Sequence, residues 1–152
     1  MQAFPHRYDV TAAALPEGDL ELRGARLPPL STAAPVEFDG PGDRWSPETL
    51  LVAAVADCYM LTFRGVARAS RVTWASLECD VRGTLDRVDG TTKFTAFAIR
   101  AHLVIPDGGS EEAARRALEK SEHTCLITNS LTARVHLETT VDSIAASAAR
   151  SR

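Results

Sequence analysis

The chain is predicted to fold as α+β, an antiparallel β-sheet packed against a long central helix and a second helix. Three observations carry this. Residues 72–85, 93–105 and 133–141 alternate apolar and polar side chains with the period of two that marks half-buried strands. Residues 46–70, SPETLLVAAVADCYMLTFRGVARAS, carry helix-start chemistry followed by an almost unbroken apolar run. A second helical pattern follows Ser110. Strands mixed with two helices around one core give layers of this kind.

Taken in order, residues 7–15 and Leu20–Arg23 flank a turn signal at Pro16-Glu17-Gly18-Asp19 and predict an opening hairpin. Residues 27–45 hold prolines at 28, 29, 35 and 41 and glycines at 40 and 42, so a loop with at most a short strand near Val36–Phe38 is expected. In the central helix Ser46 suits the N-cap, Pro47 the first helical position, and Glu48 the positive end of the helix dipole. Nearly every residue from Leu50 to Phe63 is apolar, which predicts a helix buried almost all round. Asp57 and Arg64 interrupt the run, so a core helix is expected and a membrane span is not.

The next strand places Ala75, Leu77, Cys79 and Val81 on one face. An Asp89-Gly90 turn then leads to a returning strand with Phe97, Ile99, Leu103 and Ile105 inward, a long antiparallel hairpin. Ser110 is the expected cap of the second helix, Ala113, Ala114, Ala117 and Leu118 its apolar stripe, and Glu111–Arg115 and Glu112–Arg116 its i,i+4 pairs. Residues 133–141 form a last strand, and 143–152 a tail expected to fray.

A length of 152 residues with 45% hydrophobic and 24% charged residues fits a single domain, 1–152. With a net charge of −3 and no basic cluster interleaved with aromatics, neither nucleic acid nor an anionic membrane surface is an expected partner. The N-terminus lacks the basic start and apolar core of a signal peptide, so a cytoplasmic location is expected. Three cysteines in that reducing setting suggest free thiols or a transient disulfide rather than a structural framework. An apolar helix of this length exceeds what a small sheet can cover, and a homodimer is the simplest remedy.

Free cysteine commonly behaves as a small buried hydrophobe, and Cys79, on the inner face of a strand, fits that description. Cys58 lies in the apolar middle of the central helix, and Cys125 in a polar, loop-like segment with His123, Thr128, Asn129 and Ser130. Two motifs, SPETLLVAAVADC and CLITNSL, make the chain resemble the OsmC/Ohr family of thiol-dependent peroxidases across residues 8–141. The resemblance implies an intertwined homodimer in which Cys58 attacks a hydroperoxide and Cys125 resolves the sulfenate as a disulfide. It also implies that Glu48 and an arginine tune the thiolate. Arg44, close to Glu48 in sequence, is the first choice for that arginine, with Arg23 and Arg26 as alternatives. Leu126 stands where the better-characterised Ohr branch usually has proline.

The chemistry needs no cofactor: a thiolate attacks an organic hydroperoxide, the sulfenic acid condenses with the second thiol, and an external thiol recycles the disulfide. Because burial opposes ionisation, a cation near Cys58 is required. Glu48 lies ten positions before Cys58, roughly 15 Å along one helix, and so needs the partner chain to reach a thiol. Two rival functions have other signatures. A zinc site built from Cys58, Cys125, His123 and a carboxylate is disfavoured because neither cysteine belongs to a C-x-x-C or H-x-x-x-H pair, so no metal is expected. A redox-sensing or small-molecule-binding module would use the same thiols without turnover.

Overall fold

The computed structural model describes residues 3–144. The chain forms two compact units, Met1–Leu51 and Val52–Arg152. The first holds an antiparallel three-stranded sheet of β1 (Thr11–Ala13), β2 (Leu20–Arg23) and β3 (Leu30–Thr32), with the expected hairpin as its first pair. Val36–Phe38 departs from expectation. It is one turn of 3₁₀ helix rather than a strand, and β3 lies earlier in the loop. The turn closes tightly, because Phe38 and Gly40 both donate backbone N–H groups to the Pro35 carbonyl. A Cβ on Gly40 would sit 1.6 Å from the Ala34 carbonyl oxygen, so only glycine fits there.

Helix α1 spans Pro47–Ala69. Its start is a reciprocal cap: the Thr49 N–H donates to Ser46 Oγ at 3.2 Å, and the Ser46 N–H donates to Thr49 Oγ1 at 2.8 Å. Burial departs from the sequence expectation, because one stripe alone, Val55, Tyr59, Phe63 and Ala67, is buried. Those residues recur every fourth position and so share one helix face. Leu61 is exposed, and most of the remaining apolar residues are half-buried. The helix is long and apolar enough to cross a membrane by length and composition, with a mean hydropathy of 1.6 over an 18-residue window. Its charged residues are too few to offset the alanine, leucine and valine around them.

In the second unit β4 (Ser76–Val88), β5 (Thr91–Pro106) and β6 (Arg134–Ile144) form a sheet in that order. β4 and β5 make the long hairpin, with Asp89 and Gly90 both at positive φ in its turn and a bulge between Thr84 and Leu85. β6 runs parallel to β5, so this sheet is mixed, not purely antiparallel. The reason lies in the connection: α2 (Glu111–His123) and α3 (Leu126–Asn129) carry the chain back along the sheet before β6 begins. A helical crossover of that length is what parallel neighbours need.

Inward-facing Phe97, Ile99, Ala101, Leu103 and Ile105 form the centre of the core with Ala114, Ala117 and Leu118 of α2. Ser110 caps α2 by accepting from the Ala113 N–H at 3.2 Å, and both expected glutamate–arginine pairs form. Helix α1 joins this core closely. Phe63 meets Trp74 edge to face at 5.5 Å, and a Cβ on Gly83 would lie 2.8 Å from Cγ2 of Val52. The glycine therefore lets helix and strand approach. The expected frayed tail begins within β6, whose last residues are Ser143 and Ile144; residues 145–152 lie outside the described residues.

Candidate functional site

The second unit brings Cys58 and Cys125 together. Cys58 is half-buried at the middle of α1, and Cys125 is fully buried at the residue preceding α3. Both are free thiols, and Cys125 lies close enough to Cys58 for the two to interact directly. The loop-like setting expected of Cys125 is therefore only half of the picture. Its neighbours Thr124 and Leu126 are exposed, but the thiol itself points into the core. Helix α3, which the sequence hides in a polar stretch, achieves this by turning the chain sharply after α2. Asn129 N–H donates to the Cys125 carbonyl at 3.1 Å, and the Thr128 hydroxyl donates to the same carbonyl at 3.2 Å.

Burial pushes the Cys125 thiol up from its ordinary value, Thr128 draws it part of the way back, and the adjacent Cys58 adds to the rise. At neutral pH Cys125 is thus held as the protonated thiol. On the Cys58 side the sulfur lies 4.0 Å from Thr62 Oγ1, one helical turn along α1. The residue next to it, Tyr59, is fully buried and donates its hydroxyl to the Leu118 carbonyl at 3.3 Å. That bond ties the helix carrying Cys58 to the helix leading to Cys125. Nothing in the sequence pattern singles out Tyr59 or Thr62, because both look like ordinary members of the apolar run.

Glu48 and Arg44 belong to the first unit. Glu48 is half-buried in the first turn of α1, and its Oε2 is buried without a hydrogen-bond partner among the described residues. Arg44 is engaged elsewhere: its Nε donates to Asp19 Oδ2 at 2.8 Å, and its Nη1 lies 2.9 Å from Asp43 Oδ2. The Ser31 hydroxyl and the Arg44 guanidinium hold the Asp19 carboxyl below the usual carboxylate range. Arg23 pairs with Glu21. Of the three arginine candidates, Arg26 has no ion pair among the described residues; it is exposed, at a left-handed backbone position.

Cys79 faces inward between Leu77 and Val81, and burial pushes its thiol up to about 11. His123 ends α2 with its Nδ1 2.9 Å from Glu122. No group of three or more His, Cys, Asp or Glu side chains among the described residues is arranged to hold a metal ion. A stability prediction follows from the two raised thiols. Each keeps its proton in the folded state, so the stability it contributes is complete below the ordinary value of 9.0 and is lost as the pH rises through the folded value. Thermal unfolding followed across a pH series should therefore show a steep fall in Tm between pH 9.0 and about 11, and a shallower one in Cys79→Ala.

A pair of adjacent free cysteines, one half-buried on a long apolar helix and one buried after a second helix that packs on a mixed sheet, defines an α+β dithiol protein. The OsmC-like protein family model matches residues 40–140, and the chain belongs to that family. It is 25% identical to the uncharacterized protein YmaD of Bacillus subtilis over 111 residues, 71% of this chain and 74% of the relative. An OsmC-like protein of unknown function from Vibrio cholerae has the same fold, with a TM-score of 0.81 at 18% identity over 90% of this chain and 100% of the other. An organic hydroperoxide resistance protein from Legionella pneumophila matches with a TM-score of 0.71 at 22% identity, over 92% of this chain and 99% of the other.

Proposed function

We propose that this protein is a cysteine-based peroxidase that reduces organic hydroperoxides. The observation that carries the proposal is the contact between two free thiols, half-buried Cys58 and fully buried Cys125. Family membership supports it, since the Legionella relative is described as an organic hydroperoxide resistance protein and a predicted redox protein. In this scheme the Cys58 thiolate attacks the terminal peroxide oxygen and the O–O bond breaks. The alkoxide takes up a proton and leaves as the alcohol, while Cys58 becomes a sulfenic acid. Sulfur of Cys125 then attacks sulfur of Cys58, water leaves, and a disulfide forms. An external dithiol restores both thiols and is itself oxidised to a disulfide.

Holding Cys125 protonated suits its part. A thiol kept neutral does not compete for the peroxide, and it loses its proton as it attacks. The apolar surroundings favour an alkyl peroxide over hydrogen peroxide. We assign the half-buried apolar flank of α1 to a second copy of the chain, in a homodimer whose central helices run antiparallel, so that Glu48 approaches the partner's Cys58. The buried, unpartnered Oε2 of Glu48 supports that arrangement, because such an oxygen is costly unless a donor reaches it. Arg26, which has no ion pair among the described residues, is then a freer source of that donor than Arg44, which two carboxylates already hold. A cytoplasmic site, where thiol reductants are abundant, completes the proposal.

The test is turnover. With many equivalents of an organic hydroperoxide and an excess of dithiol, consumption should continue until the peroxide is exhausted, and the activity per chain should fall on dilution below the dimer's dissociation range. Consumption of one equivalent followed by a stall, with the reductant still present, would make the protein a sensor.

A further inference from the structure

We propose that Thr62 is a catalytic residue of the thiol chemistry, donating its hydroxyl to the sulfur of Cys58 as that sulfur ionises. The inference rests on the assignment of Cys58 as the attacking thiol and adds a group to it. Residues 58 and 62 are one turn apart on α1 and so lie on the same face, with Thr62 Oγ1 4.0 Å from Cys58 Sγ. Inside a helix, a threonine hydroxyl commonly bonds back to the carbonyl four residues earlier. Here the hydroxyl makes no such bond: its only hydrogen-bond partner among the described residues is the sulfur of the residue four places back.

The direction of that contact depends on the proton. While Cys58 is a thiol, either S–H or O–H can donate, and at this distance the interaction is weak. Once the sulfur is an anion it can only accept, so Thr62 becomes the donor. Hydrogen bonds to an ionised partner are shorter and roughly twice as strong as neutral ones. The hydroxyl therefore favours the thiolate over the thiol, which is what a nucleophile in an apolar setting requires. The position is also protected from competition. The thiol of Cys125, which also meets the Cys58 sulfur, is a poorer donor than a hydroxyl.

The experiment is iodoacetamide alkylation of the reduced full chain across a pH series, with the extent at each cysteine resolved by peptide mass spectrometry. This readout does not depend on peroxide turnover, so failure of the peroxidase assignment and failure of this proposal give different results. Thr62→Val, which keeps the shape and removes the hydroxyl, should shift the Cys58 profile toward alkaline pH and slow alkylation at neutral pH about three- to tenfold. Thr62→Ser should restore the wild-type profile, and Cys79 should respond identically in all three proteins. If Thr62→Val does not fold, as judged by its thermal transition, Thr62→Ala takes its place with the same expectation. A Cys58 profile unchanged in the hydroxyl-free variant, or shifted equally in Thr62→Ser, overturns the proposal.

Discussion

Cys58→Ser is expected to reduce hydroperoxide consumption to the rate of buffer and reductant alone, while Cys79→Ser retains activity within about twofold. The contrast follows from where the two thiols sit. Cys58 touches a second thiol and a hydroxyl on the helix that carries the family motif. Cys79 faces the core between Leu77 and Val81, where burial holds it protonated up to about 11. A serine there introduces a hydroxyl into a half-buried apolar position, at a stability cost on the order of 1 kcal/mol. Peroxide consumption measured alongside thermal unfolding separates the two effects. Equal loss of turnover in both variants, with both folded, would remove Cys58 from the centre of the mechanism.

The second large effect is expected from Cys125→Ser. After one equivalent of organic hydroperoxide, the intact mass of the wild-type chain should fall by two hydrogen atoms, the signature of a disulfide. The variant should instead gain one oxygen atom, and dimedone should trap it at Cys58. Its first turnover should be unimpaired, because the step that breaks the O–O bond does not involve Cys125. Multiple turnovers should slow at least about tenfold, since recycling must wait for an external thiol to reach a sulfenate on half-buried Cys58. Fragmentation of the oxidised wild type should show the bond between Cys58 and Cys125. A Cys58–Cys79 bond in its place, or no mass change in either protein, would contradict the assignment of Cys125 as the resolving thiol.

Glu48 shows how far local pattern could be carried. Its place in the first turn of α1 was legible from Ser46-Pro47-Glu48, and helix geometry alone implies that it cannot touch the thiol of its own chain. That its Oε2 would be buried and unpartnered was not legible, since burial depends on residues distant in sequence. Arg44 marks the opposite limit. Proximity to Glu48 in the sequence made Arg44 the first choice for the tuning arginine, and its pairing with Asp19, far earlier in the chain, was not legible there. The sheet order has the same origin. Alternation identifies each strand, and the apolar face of each, but is silent on direction, and only the helical crossover between β5 and β6 makes them parallel.

What the sequence by itself determined is local: the cap and extent of α1, the Asp-Gly turn, the inward faces of β4 and β5, the cap and charge pairs of α2, and the two cysteines that carry the motif. Each depends on residues within one or two turns or on a fixed period, so neighbouring side chains are enough to specify it. Only the tertiary structure decided which groups meet. It limited the fully buried side of α1 to the stripe of Val55, Tyr59, Phe63 and Ala67, turned Cys125 inward through a four-residue helix, and set the Tyr59 hydroxyl on α2. Long-range packing selects these contacts, because the energy of bringing two helices together depends on the shape of both surfaces and is written in neither alone.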